Sequence, residues 1–314
     1  TQDFPFEKSE PFLESELPYL EEVFDDVLII ATSLHKGYQQ TRTVGPSTKI
    51  LPLMRPNGKL KKIWGVLNGI RYFSRNVKLE FKKQNGIKGK IAILYYAGRY
   101  EAVKRRCSRT IKSFVGNDAD QTVTFYSYWF IETAQVALFY AEQLEKENIK
   151  CKTCTRAHGF DLYEIRNPAG FFPFREYVLK SINYVYPCSE DGKQYLIQHY
   201  PRYKEKIFKR YLGTCEHGMN PEKGNGYFTI VTCSNLVPVK RLDLVAEALK
   251  YLELLYSDIK IKWICIGDGP EREHIQGLVS SLKVCKVDFL GSMKNAEVLE
   301  WYKKRSMLFI AYLS

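Results

Sequence analysis

The sequence predicts an α/β protein built as two doubly wound, parallel-sheet domains in series. Three observations lead there. Short apolar runs alternate with amphipathic stretches of helical period along the chain. A polar segment rich in Gly, Pro and Asn, Thr214–Gly226, divides this alternation into two series. The chain has 314 residues, enough for two domains of ordinary size. The domains are therefore placed at residues 1–214 and 227–314, with a linker at 215–226.

In the first series, strands are expected at Val27–Ala31 and Ile50–Leu53. Long helical stretches follow at Lys59–Lys83 and Ile91–Phe114, then a strand at Thr122–Tyr126. A helix over Trp129–Glu147 carries Phe130, Ala134, Ala137, Leu138, Ala141 and Leu144 on one stripe, the 3.6-residue period. Strands at Lys150–Ala157, Tyr184–Pro187 and Ile207–Leu212 complete the series. The second series runs strand Phe228–Cys233, helix Arg241–Leu254, strand Ile259–Ile266, helix Pro270–Leu282, strand Val287–Leu290, helix Asn295–Lys304 and strand Met307–Tyr312. The end of Ile259–Ile266 is apolar on both faces, as a covered parallel strand should be.

Hydrophobic residues make up 45% and charged residues 26% of the chain, a balance that excludes disorder. No apolar run approaches the roughly 20 residues of a membrane-spanning helix. The opening Thr1-Gln2-Asp3 lacks the basic start and apolar core of a signal peptide, so a cytoplasmic location is expected. The net charge of +12 favours anionic partners: nucleotide phosphates, acidic lipids or nucleic acid. No recognised nucleic-acid motif is present, so nucleic acid is not expected among them. The eight cysteines are scattered, which fits reduced thiols. Cys151 and Cys154 form a CxxC with His158 nearby, but residues three apart on a strand point to opposite faces. No second CxxC completes a zinc set. No metal and no cofactor is expected.

Several segments could carry chemistry. Ile266-Gly267-Asp268-Gly269-Pro270 closes a strand and opens a helix, with Pro270 suited to the first helical position. Its glycines let backbone approach a ligand, and the following N–H groups can receive an anion. Many tight strand–helix turns share this composition without binding anything. Lys240 and Arg241 stand at a helix start, where the macrodipole disfavours cations and a bound diphosphate would reverse that cost; two solvated surface charges are the plainer reading. His158, before Gly159, could bond a sugar hydroxyl or simply pair with backbone. The stretch 59–83 carries Lys59, Lys61, Lys62, Arg71, Arg75, Lys78, Lys82 and Lys83 beside Leu60, Ile63, Trp64, Leu67 and Ile70. It could lie on an anionic membrane or be a core-facing stripe with a solvated face. The aromatics of Phe125–Phe130 could line an acceptor cleft or belong to the core.

Taken together and in order, these segments resemble glycosyltransferase family 4, particularly members that build exopolysaccharide, capsule or lipopolysaccharide chains. The resemblance runs from Glu10–Leu20 through Tyr126–Trp129, Arg156–Asp161, Pro187–Glu190, Tyr211–Thr214, Asn235–Lys240 and Gly267–Pro270 to Phe289–Gly291. It implies the GT-B fold, two Rossmann-like domains facing a cleft that holds a nucleotide-sugar donor, retention of anomeric configuration, and no metal. It implies that His158 contacts the transferred sugar and Lys240 holds the donor diphosphate as the catalytic pair. Asn235, Arg241, Gly267, Asp268 and Gly269 would belong to the donor side. Glu10, Tyr126 and Tyr128 would belong to the acceptor side. Without a metal, Lys240 and helix N-terminal N–H groups would stabilise the leaving diphosphate. The implied partners are a nucleotide-sugar donor and a glycan or lipid-linked acceptor, with peripheral contact to the inner face of the plasma membrane.

Three departures accompany the resemblance. The family usually carries Arg where Asn235 stands, and Gly where Ser9 stands. Its two donor-binding glutamates are expected after Ser314, and its opening strand before Asp3. The 314-residue stretch is therefore expected to be a poor catalyst and poorly stable by itself. Two other functions fit the same features: a nucleotide-sugar 2-epimerase of the same fold, and a degenerate transferase that acts as a binding module.

Overall fold

The computed structural model describes residues 1–7, 10–56, 58–116, 118, 120–214, 216, 218, 226–256, 258–304 and 309–310. The chain divides into two compact units, residues 1–215 and 216–314. Most of the expected linker, the departure at Ser9 and the ends of the expected last strand lie outside the described residues.

The first unit opens with helix α1 (Pro11–Val23), strand β1 (Val27–Leu34) and strand β2 (Thr48–Met54). Helices α2 (Gly58–Arg71), α3 (Arg75–Lys82) and α4 (Ile87–Val115) follow, then β3 (Thr122–Ser127), α5 (Glu132–Lys146) and β4 (Lys150–Ala157). Short helices α6 (Gly159–Leu162) and α7 (Arg175–Ser181) lead to β5 (Tyr184–Pro187) and α8 (Glu190–His199). β1 and β2 pair in parallel, and so do β3, β4 and β5. The amino-terminal segment runs beside β1: the Thr1 N–H donates to Ile30 O at 3.2 Å, and Thr32 N–H to Thr1 O at 3.3 Å. That is the pattern of one parallel rung.

Three boundaries differ from expectation, each for a local reason. The long helix expected at 59–83 breaks into α2 and α3, because Ser74 caps a new helix and accepts from Val77 N–H at 3.4 Å. The helix expected from Trp129 starts at Glu132. The preceding turn is held by other partners: Ser127 Oγ donates to Trp129 O at 2.6 Å, and the Phe130 N–H is taken by Asp161. The strand expected at Ile207–Leu212 shrinks to a single parallel bridge between Ile207 and Val185.

The second unit contains β6 (Phe228–Cys233), α9 (Leu242–Leu255), β7 (Ile261–Ile266), α10 (Arg272–Val279), β8 (Lys286–Gly291), α11 (Asn295–Lys303) and β9 (Phe309–Ile310). Its parallel sheet has the order β8-β7-β6-β9. β7 is buried on both faces, as its composition requires. Its core joins Trp263 and Cys265 to Leu236, Leu242, Ala246, Leu249 and Ile275. α10 begins at Arg272 rather than Pro270 because the Glu271 N–H turns back to Leu236 O at 3.1 Å.

In the first unit α2 packs on α4 through glycine. A Cβ on Gly98 would lie 1.8 Å from Gly65 O, and one on Gly69 would lie 2.0 Å from Leu94 O. Only glycine permits so close a crossing. With Gly65 and Gly69 turned inward, Leu60, Ile63, Leu67 and Ile70 face solvent. The core-facing reading of this stripe is thereby overturned.

Candidate functional site

In a parallel sheet, ligands meet the carboxyl ends of the strands, where helix N-termini converge. In the first unit that end is crowded with buried polar groups. β4 delivers Arg156 and, just beyond it, His158. Arg156 bonds Tyr126 Oη at 2.7 Å and Glu16 at 3.0 Å, and Tyr126 Oη in turn donates to Glu16 at 3.1 Å. Burial, reinforced by Glu16, holds the Tyr126 phenol well above its ordinary range. Tyr126 is thus engaged within the fold rather than offered to an acceptor. Tyr128 is buried in a cluster with Phe4, Leu13, Leu17 and Ile29. Its ring faces His158 with centroids 4.6 Å apart. The acceptor-side reading of Tyr128 therefore gives way to the core one. Glu10, also expected on the acceptor side, is buried. Its carboxylate accepts the N–H groups of Gln2, Asp3 and Phe4 at 2.7–2.9 Å and the Trp129 indole N–H at 2.5 Å. No role beyond that anchorage is left to its oxygens in this arrangement.

His158 is held by Asp161. The Asp161 carboxylate accepts the His158 N–H at 2.6 Å and the Phe130 N–H at 2.5 Å. Arg175, buried between Phe130 and Phe172, donates to the Asp161 carbonyl. Burial pushes the Asp161 carboxyl up to about 7, against the pull of the Phe130 N–H and Arg175. The His158 ring lies between Tyr128 and Trp129, with the Trp129 centroid at 4.7 Å. Both ring nitrogens are buried and lack hydrogen-bond partners. Burial, and then the neighbouring Arg156, lower its pKa to about 4, so the imidazole is neutral near pH 7. A neutral imidazole with two free nitrogens can donate one hydrogen bond and accept another. The Asp161–Arg175 arrangement escaped sequence reasoning; the only sequence signal was a carboxylate three residues after His158.

In the second unit the site is made of backbone. The turn after β6 and the turn after β7 close on each other. Ser234 N–H donates to Ile266 O and Leu236 N–H to Asp268 O, both at 3.0 Å. Gly267 has φ 131°, and a Cβ there would sit 1.9 Å from Ser234 O. A Cβ on Gly269 would sit 2.3 Å from Leu236 O. These glycines are needed first for the approach of the protein's own backbone. Asp268 pairs with Arg272 at 2.8 Å and accepts the Gly269 N–H at 2.8 Å. Lys240 ends a short 3-10 turn, Pro238–Lys240, half-buried, with no polar partner among the described residues. Arg241, in the left-handed conformation at φ 49°, caps α9 and pairs with Asp243 at 2.9 Å. It is therefore spent locally and does not stand in for the cation missing at Asn235, which is exposed.

A second polar cluster in the first unit was not foreseen. Arg55, Arg99 and Glu132 are buried together, with Arg99 ion-paired to Glu132. Its sequence signal was faint: charged residues at inward positions of otherwise apolar helices. Burial pushes the Cys151 and Cys154 thiols up to about 11 and about 12, which leaves no thiolate for a metal. Among the described residues no three of His, Cys, Asp and Glu gather as a metal set. No helix among them is long and apolar enough to cross a membrane.

Comparison with known proteins bears on both units. Residues 219–313 match the profile of the family described as glycosyl transferases group 1. No curated protein sequence matches the chain significantly. Among solved structures, the lipopolysaccharide outer core galactosyltransferase WaaB superposes with TM-score 0.52 and 12% identity, over 98% of this chain and 71% of that one. Trehalose-6-phosphate synthase OtsA gives TM-score 0.51 and 12% identity, over 87% and 68%. The UDP-forming trehalose-phosphate synthase from Burkholderia xenovorans gives TM-score 0.50 and 13% identity, over 89% and 70%. Against S. aureus TarM the chain spans 37% of that protein's length. The fold is the GT-B fold of glycosyltransferases: parallel α/β units of Rossmann type.

Proposed function

We propose that the protein is a retaining glycosyltransferase that moves a sugar from a nucleoside diphosphate sugar to a glycan or lipid-linked acceptor in cell-surface polysaccharide synthesis. One observation carries the reading. The stretch that matches the glycosyl transferases group 1 profile contains Asn235, Lys240, Arg241 and the Gly267-Asp268-Gly269 turn, where β6 and β7 end together. In this reading Lys240, the cation left without a partner there, takes the diphosphate and stabilises the charge that builds on it as the glycosidic bond breaks. The departing phosphate assists the incoming hydroxyl on the same face, so no enzyme nucleophile is invoked. His158, neutral and with both nitrogens free, bonds hydroxyls of the transferred sugar.

A lipid-linked acceptor suits α2. Its exposed Leu60, Ile63, Leu67 and Ile70 are flanked by Lys62 and Arg71, a pattern suited to lying on an anionic bilayer. The implied location is the cytoplasmic face of the membrane.

The test is nucleoside diphosphate binding by titration calorimetry on this chain, with and without Lys240→Ala. The variant should lose about tenfold or more, roughly 1.4 kcal/mol. Equal affinity in both proteins would remove the proposed role of Lys240. Release of nucleoside diphosphate from a donor only when acceptor is added would separate transfer from epimerisation.

A further inference from the structure

At the carboxyl ends of β1 and β2 the first unit encloses a narrow recess, with about 250 Å³ of empty space. Thr32, Arg55, Trp64, Arg99, Arg106 and Glu132 are among its walls. The charges do not balance: Arg55, Arg99 and Arg106 share it with the single carboxylate of Glu132. Lys61 on α2 stands within the same field. Burial, then Arg55 and Arg99, lower its pKa to about 8, a mark of crowded positive charge.

The crowding is not relieved inside the fold. Arg55, 8% exposed, donates to Ser33 Oγ at 2.9 Å and to Tyr95 Oη at 3.1 Å, but its Nε has no partner. Arg99, 9% exposed, pairs with Glu132 through one terminal nitrogen, and its Nε is likewise unpaired. Glu132, 1% exposed, keeps Oε2 without a partner. Buried polar atoms are nearly always satisfied, and each one left over costs about 1–3 kcal/mol, more for charged groups. Two guanidinium donors and one carboxylate acceptor thus remain open around one recess. The donors call for an anion, and planar guanidinium groups favour phosphate oxygens. The acceptor calls for a hydroxyl beside that anion.

We infer that this recess binds a phosphate ester bearing a neighbouring hydroxyl, with Arg55, Arg99 and Lys61 on the phosphate and Glu132 on the hydroxyl. The site lies within the first unit and uses none of the residues assigned to sugar transfer. It therefore stands or falls apart from that reaction. A soluble polyol phosphate and a glycerol-phosphate lipid headgroup offer the same chemistry. The exposed apolar stripe of α2, on the helix that carries Lys61, would present the second.

The experiment uses the whole chain and no sugar donor. Glycerol 3-phosphate and methyl phosphate are titrated by calorimetry. Flotation is measured with vesicles of phosphatidylglycerol in phosphatidylcholine and of phosphatidylcholine alone. Glycerol 3-phosphate should bind at least about fivefold tighter than methyl phosphate. Arg55→Gln and Lys61→Gln should each weaken binding about tenfold, while the exposed neighbour Lys62→Gln changes it less than twofold. Leu67→Ser should reduce flotation only, and leave the soluble ester unaffected. Loss confined to the vesicle arm identifies a headgroup, and loss confined to the soluble arm identifies a free ester; both support the site. Absence of binding in both arms, equal affinity for the two esters, or indifference to Lys61→Gln overturns it. If Arg55→Gln fails to fold, the half-exposed Lys61 carries the comparison with Lys62.

Discussion

The two units finish their strands in opposite ways. In the first, side chains are held by buried charge: Asp161 receives two N–H groups beside Arg175, Glu10 receives three, and Glu16 pairs with Arg156. In the second, backbone is held by backbone, with Gly267 and Gly269 pressed onto the carbonyls of Ser234 and Leu236. The contrast separates two ways to position a ligand. Buried charge fixes a side chain such as His158 and tunes its protonation. Glycine packing fixes N–H groups and leaves a cation such as Lys240 free to meet an anion.

This contrast predicts where each unit breaks. The largest effect is expected at Asp161→Ala. It leaves the Phe130 and His158 N–H groups unpaired and Arg175 buried without its carboxylate, a loss of about 3–5 kcal/mol. Urea denaturation should show it; a change under 1 kcal/mol would mean the charge is not what holds this end together. Next is Gly267→Ala, which drives a methyl into the Ser234 carbonyl at a φ that disfavours side chains. A loss on the order of 3 kcal/mol is expected, together with loss of nucleoside diphosphate binding. Retained binding and stability would show that the turn yields easily.

The smallest effect is a pH dependence. Unfolded His158 takes a proton below its ordinary value of 6.5, whereas the folded ring resists until about 4. Stability from this group is therefore full above 6.5 and is lost as pH falls towards 4. Asp161 works the other way: its raised pKa removes stability as pH rises from about 4 to about 7. Comparing the chain with His158→Gln isolates the histidine. Between pH 7.5 and 4.5 the variant should lose on the order of 2 kcal/mol less than the parent. Identical losses would place the ring in water rather than in the aromatic sandwich.

Much of the second unit was legible because its strands are short apolar runs with polar punctuation. β6 was read to the residue, and β7 and β8 to within two residues. The first unit was harder where polar residues turn inward. Nothing local shows whether Glu132 at a helix start faces solvent or Arg99, which is far away in sequence. Nor does a stripe of Leu60, Ile63, Leu67 and Ile70 reveal which side is buried, since its period is the same either way. The decisive features were Gly65 and Gly69, whose meaning depends on Gly98 in another helix.

Sequence alone determined the parallel α/β architecture, the division into two series and the turns where strands meet helices. These follow from hydrophobic period and turn chemistry, which act between near neighbours. Tertiary structure decided which charges are spent and which are left over. It paired Arg241 with Asp243, sealed Glu10 against the amino-terminal segment, and left His158, Arg55, Arg99 and Lys240 with unfilled bonding capacity. The reason is that a polar group's partners are chosen by packing among distant segments, and desolvation then makes each unmade bond count.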